Sequence, residues 1–160
     1  IKKRIPLADI CDCFSFAAGV GATAVRIGNF MNSEIVGRVT NVPWAIKFPR
    51  YDQEMAYSKG LRQFVSEPRH PSQLYEVALG LIVLLALFIA DKHYGNKRPK
   101  WLLGSIFLII YFTGRFIVEF FKEYQALPSS FPLTMGQILS IPFALAGYIM
   151  LYKVLKNNKK

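Results

Sequence analysis

Apolar positions crowd into four runs, each close to the roughly 20 helical residues needed to cross a hydrocarbon core. They extend from Leu7 to Phe30, Leu74 to Ala90, Trp101 to Phe121 and Gly136 to Tyr152. The second is the purest, with an unbroken Ala-Leu-Gly-Leu-Ile-Val-Leu-Leu-Ala-Leu core. The first is thinned by Ala17, Ala18, Gly19, Gly21, Ala22 and Ala24, small residues that let helix backbones approach closely in lipid. The pattern predicts an all-α integral membrane protein with about four transmembrane helices, forming one membrane domain over residues 1–160.

The connectors differ in kind. His93 to Lys100 is short and basic. Lys122 to Met135 holds Pro128, Ser129, Ser130 and Pro132, a composition that stops helices. Asn32 to Ser72 is long, mixed and aromatic, with Val42-Pro43-Trp44 and Phe48-Pro49; it is compatible with short strands or with an interfacial helix.

Composition changes this picture little, but charge placement adds orientation. The chain is 52% hydrophobic and 19% charged, with a net charge of +10. Much of the excess flanks apolar runs: Lys2, Lys3 and Arg4; Lys92, Lys97, Arg98 and Lys100; Lys153, Lys156, Lys159 and Lys160. That is the pattern of cytoplasmic membrane edges, and no nucleic-acid signature accompanies it, so no nucleic-acid partner is expected. With those segments inside, the 32–72 and 122–135 connectors lie outside. Arg38, Lys47, Arg50, Lys59, Arg62 and Arg69 in the long outer connector run against this rule, although Glu34, Asp52, Glu54 and Glu67 offset them. Cys11 and Cys13 form neither a disulfide framework nor a metal site and read as inert buried thiols. Nothing at the start resembles a cleavable signal.

Ionisable groups inside spanning helices are costly and usually face protein or a wet cavity. Arg26 lies one turn before Asn29 near the outer end of the first run. Tyr111, Arg115 and Glu119 are spaced i, i+4, i+8, which stacks them on one helix face. The topology brings all of these to the outer side. Two guanidinium forks at headgroup depth suit an anionic phospholipid, since arginine binds phosphate bidentately and stays charged when dehydrated. Plainer readings stand beside this one: Arg115 and Glu119 as a structural ion pair, and Arg26 snorkelling toward headgroups. His70 stands before the second run, where Pro71 suits a first helical turn and the polar residue before it suits a cap; structural and catalytic readings of it both stand. No metal set, Ser-His-Asp order or phosphate-binding glycine loop is visible, and no cofactor is expected. A transporter with charges in mid-helix, or a non-catalytic helical scaffold, remains an alternative.

Four stretches resemble the bacterial prolipoprotein diacylglyceryl transferases. They are Arg26-Ile27-Gly28-Asn29-Phe30-Met31-Asn32-Ser33-Glu34 with Gly37-Arg38; Arg69-His70-Pro71-Ser72-Gln73-Leu74-Tyr75-Glu76; Gly114-Arg115-Phe116 with Val118-Glu119-Phe120-Phe121; and Thr134-Met135-Gly136-Gln137-Ile138-Leu139-Ser140. They occur in the family's order over most of the chain. The resemblance implies an inner-membrane enzyme, its active site toward the periplasm, that moves diacylglycerol from phosphatidylglycerol to the lipobox cysteine of prolipoproteins and leaves a thioether. It carries phosphatidylglycerol binding onto Arg26 and Arg115. It carries essential roles onto Asn29 and Gly37, and important ones onto Glu34, Tyr111, Arg115 and Glu119. Val25 and Ser33 stand where the family's signature has glycines. The family has about seven spanning helices, so the chain reads as the C-terminal portion, inactive alone. The base that activates the thiol is expected in an N-terminal part with a His-Gly-Gly segment.

Overall fold

The structure is a computed structural model that describes residues 6–123 and 133–157. The basic residues Lys2, Lys3, Arg4, Lys159 and Lys160, and the turn residues Pro128, Ser129, Ser130 and Pro132, lie outside the described residues. Four helices are long and apolar enough to cross a membrane. These are α1 (Leu7–Met31), α3 (Ser72–Tyr94), α4 (Leu102–Val118), extended by a 3-10 turn at Glu119–Phe121, and α5 (Met135–Asn157). The all-α membrane architecture expected from the sequence is the one observed.

Helix α1 is built inside out relative to a helix of a soluble bundle. On α1 the buried positions are Ala8, Asp12, Ser15, Gly19 and Thr23, a stripe with helical spacing, whereas Leu7, Ile10, Phe14, Val20, Val25, Ile27 and Met31 are exposed. Lipid is as apolar as leucine, so burying large side chains gains little there, and close backbone packing takes over. Thr23 and Gly19 meet α3 at Gly80 and Leu84. Thr23 Oγ1 donates back to the Gly19 carbonyl at 2.8 Å, which satisfies the buried hydroxyl. Of the six small residues singled out in the sequence, Gly19 alone is buried. The cysteines are a second departure: Cys13 is exposed and Cys11 half-buried, because both fall beside the small-residue stripe rather than on it.

An apolar core of Leu79, Val83, Leu87 and Leu103 ties α3 to α4, with Phe16, Phe107, Ile110 and Tyr111 around it. Asp12 adds a polar tie. Its Oδ2 accepts the Trp101 N–H at 3.1 Å and its Oδ1 the Gly104 N–H at 2.9 Å. A carboxylate on α1 thus caps the start of α4, where the orphan amides and the helix dipole favour negative charge. Trp101 has φ +70, a conformation that costs a bulky residue roughly 1–3 kcal/mol. The opening of α5 caps itself. Thr134 Oγ1 accepts the Gln137 N–H at 3.3 Å and Gln137 Oε1 accepts the Thr134 N–H at 2.9 Å, a reciprocal capping box.

The long connector contains both elements its composition allowed. Strand β1 (Ile46–Lys47) pairs antiparallel with β2 (Pro68–Arg69), and between them runs helix α2 (Pro49–Ser58). Arg69 fastens this unit. It meets Asp52 of α2 at 3.2 Å and Glu123, beyond α4, at 3.0 Å, while Ser66 Oγ donates to Asp52 Oδ2 at 2.9 Å. The Tyr51 ring lies 5.1 Å from the same guanidinium. Burial raises the Tyr51 phenol above the ordinary tyrosine pKa; the Arg69 charge opposes that rise, and Glu123 and Asp52 reinforce it.

Candidate functional site

The segment after α1 turns sharply against the start of α3. The Glu34 N–H donates to the Asn29 carbonyl at 2.8 Å, and the Ser33 N–H to the Phe30 carbonyl at 3.2 Å. Ser33 and Ile35 have φ +58 and +53, a region where a side chain is costly. The turn is held from outside by the first residues of α3. Gln73 Nε2 donates to the Glu34 carbonyl at 2.6 Å and Ser72 Oγ to the Ile35 carbonyl at 3.0 Å. Both side chains are fully buried, so the turn and the helix start form one unit.

Gly37 follows, where three stretches of chain meet. Its N–H donates to the His70 carbonyl at 3.1 Å, and the Arg38 N–H donates to the Phe121 carbonyl at 2.9 Å. A Cβ at Gly37 would collide with the His70 carbonyl and lie 2.7 Å from that of Phe121. Glycine is therefore required by close approach. Arg38 Nε donates to the Lys122 carbonyl at 2.9 Å, so the chain beyond α4 is threaded against the turn.

This folding brings charges together around Glu76, in the first turns of α3. Arg26 Nε lies 2.9 Å from its Oε2, while Lys122 Nζ lies 3.0 Å and Arg115 3.8 Å from its Oε1. Lys122 also meets Glu119 at 3.2 Å. Glu76 and Lys122 are almost wholly buried, whereas Arg115 keeps about a quarter of its side chain exposed. The Arg115–Glu119 pair suggested by their spacing is not the pairing observed: Arg115 pairs with Glu76 and Glu119 with Lys122. The 3-10 turn after Val118 redirects the chain, and Glu119 packs beneath α5, where a Cβ at Gly136 would lie 2.5 Å from its carboxylate.

The cluster thus holds three cations and two carboxylates, a surplus of one positive charge. Glu76 Oε2 and Glu119 Oε2 accept no aligned hydrogen bond although cations stand within 3.2 Å of each. Both contacts are ion pairs by distance. Gln73 Oε1 and Gln137 Nε2 are buried with no hydrogen-bond partner among the described residues. Most buried polar groups in proteins are paired, so unspent polar capacity accumulates here.

The remaining expected residues are placed less tightly. Asn29 is half-buried one turn beyond Arg26, held by its carbonyl. Glu34 is exposed and engaged through its backbone, with no ion pair to the cluster. Tyr111 stacks on Phe107 at 5.3 Å and packs against the apolar core. It shares a helix face with Arg115 without touching the charges through any observed bond. His70 does not cap α3, whose N-cap is Pro71. Its Nδ1 meets the Tyr75 hydroxyl at 3.0 Å, which in turn accepts the Trp44 Nε1–H at 2.8 Å, and its ring packs on Phe121. Sequence reasoning missed Glu76, Lys122, Gln73 and Tyr75. The signal for Glu76 was available, since an acid just inside an apolar run falls under the same rule that drew attention to Arg26. Among the described residues no group of His, Cys, Asp or Glu is arranged to hold a metal.

Comparison with known proteins bears on the same residues. A family model described as prolipoprotein diacylglyceryl transferase matches residues 1–153. Three relatives carry the name phosphatidylglycerol–prolipoprotein diacylglyceryl transferase. One from Bacteroides fragilis is 37% identical over 99% of this chain and 53% of its own. One from Vibrio cholerae serotype O1 is 44% identical over 85% and 44%, and one from Aliivibrio fischeri 41% identical over 98% and 51%. The chain spans about half the length of the curated relatives it matches.

Proposed function

The chain belongs to the prolipoprotein diacylglyceryl transferase family, and on that premise we propose that it supplies the phosphate-holding half of an enzyme that transfers diacylglycerol from phosphatidylglycerol to prolipoproteins. It is a multi-pass membrane protein, and we place it in the bacterial inner membrane with the Glu76 cluster toward the periplasm. The carrying observation is that three cations converge on two carboxylates at one end of the bundle, with Arg115 only loosely bound at 3.8 Å.

In the reaction the cysteine sulfur forms a bond to the glyceryl carbon. The bond from that carbon to the phosphate oxygen breaks, and glycerol phosphate leaves with the electron pair. Negative charge therefore grows on the phosphate, and fixed cations aimed at it act where charge develops. Arg26 and Arg115 are assigned to the phosphate. Glu76, Lys122 and Glu119 position them, because paired arginines in a packed cluster need no reorganisation when substrate arrives. Gly37 and Asn29 shape the turn beside them. The thiol gives up its proton as the carbon–sulfur bond forms, and His70, with Nδ1 engaged by Tyr75, is the candidate within this chain to take it. The nucleophile belongs to the substrate, so Cys11 and Cys13 have no role in the step. A transporter would be expected to interrupt its helices near mid-bilayer; α1, α3, α4 and α5 each run as one helix.

The experiment is transfer by the full-length protein in vesicles containing phosphatidylglycerol, read by the mass of a lipobox precursor. The precursor should gain one diacylglyceryl group, and a version with serine for its lipobox cysteine should gain none. No gain with cysteine present, or an equal gain with serine, contradicts the proposal.

A further inference from the structure

The opposite end of the bundle carries a second basic site. A cleft of about 610 Å³ opens between the α3–α4 connector and the last turns of α5, lined by Lys100, Trp101, Met150, Lys153, Val154 and Asn157 among others. Its lining is split by chemistry, with Trp101, Met150 and Val154 apolar and Lys100 and Lys153 cationic. Both lysines are exposed, and neither is ion-paired among the described residues. The neighbouring charge is already committed: Arg98 pairs with Asp91, and Asp12 spends its two oxygens on the N–H groups of Trp101 and Gly104.

Trp101 supplies the second, independent observation. Its backbone is held at φ +70 by the carboxylate of Asp12 on another helix. A bulky aromatic fixed in the left-handed region is a position where a fold accepts strain to aim a side chain. Here the ring lines the cleft. Tryptophan sits well at the boundary between acyl chains and headgroups, and basic pockets between spanning helices suit anionic headgroups.

We propose that this cleft binds an anionic phospholipid of the leaflet at this end of the bundle, its phosphate between Lys100 and Lys153 and an acyl chain along Met150 and Val154. Glu76 lies near the start of α3, and Tyr94 at its end is about 27 Å away at 1.5 Å per residue. One headgroup cannot serve both places. The proposal does not depend on the transfer reaction and holds or fails separately from it.

The test uses the full-length protein in phosphatidylcholine vesicles doped with brominated phosphatidylserine, which is anionic and distinct from phosphatidylglycerol. The quenching assigned to Trp101 is the difference between the protein and its Trp101→Phe variant. Half-maximal quenching should need several-fold less brominated phosphatidylserine than brominated phosphatidylcholine. A Lys100→Gln, Lys153→Gln double variant should lose that preference, and inorganic phosphate should not compete. Equal quenching by the two lipids overturns the proposal without recourse to any lysine variant. So does a preference that survives the double variant, and displacement by inorganic phosphate would mark a site for soluble anions instead.

Discussion

Glu76 is the residue on which Arg26, Arg115 and Lys122 converge, so loss of its charge reaches further than loss of any one partner. Glu76→Gln leaves three cations facing only Glu119, and breaking a buried pair from one side costs about 3–5 kcal/mol. Thermal unfolding in detergent should show the variant strongly destabilised; an unchanged midpoint would mean the cluster is solvated. A double-mutant cycle distinguishes the pairings. Arg115 should couple to Glu76 by at least about 0.5 kcal/mol, the scale of residues in one network, and less to Glu119. Stronger coupling to Glu119 would restore the pairing read from spacing. The shared face of Tyr111 and Arg115 on α4 was legible in the sequence, whereas Glu119 falls in the 3-10 turn past its end. The true partners of Arg115 and Glu119 were not legible, because Glu76 comes from another helix and Lys122 lies past the end of α4, where helical periodicity has stopped.

Among the elements, the spanning helices were legible because hydropathy over some 20 residues outweighs local detail. The connector was not, since two-residue strands have no periodicity to read. Its turn is legible in hindsight. Ser33 stands where the family resemblance expects glycine, and its φ of +58 is the conformation that glycine tolerates and other residues pay for. Ser33→Gly should raise stability by about 1 kcal/mol, measured by thermal unfolding; a loss would show that the serine side chain matters more than the strain. At the far end, Asp12→Ala removes the cap of α4. It should cost about 1–2 kcal/mol while leaving transfer per folded molecule unchanged, since the cap lies at the other end of α3 and α4 from Glu76. A proportionate fall in transfer by the folded fraction would contradict that separation.

For the molecule as a whole, the inside-out burial of α1 and α5 follows from the solvent being lipid. Hydropathy alone reveals that a helix spans but not which face packs. The small-residue stripe could be located only once α3 supplied Gly80 and Leu84 to pack against it. Orientation rests on the basic segments, and labelling from outside tests it. In the full-length protein a cysteine introduced at Ser129 should react with an impermeant reagent and one at Asn96 should not. The reverse result would place the Glu76 cluster on the cytoplasmic side and remove it from the reach of exported precursors.

The central claim is that this cluster holds the lipid phosphate while its ester bond breaks, and Arg26 offers the most direct test. Arg26→Lys keeps the charge but loses the planar fork that binds phosphate through paired hydrogen bonds. Transfer from phosphatidylglycerol to a lipobox peptide should be measured with full-length protein at equal membrane levels. Losing charge-assisted bonds of about 1.5–3 kcal/mol in the transition state should slow the lysine variant roughly ten- to a hundredfold. Arg26→Ala, which also removes the charge, should be slower still. Wild-type rates with lysine would contradict the account and leave Arg26 as a headgroup anchor.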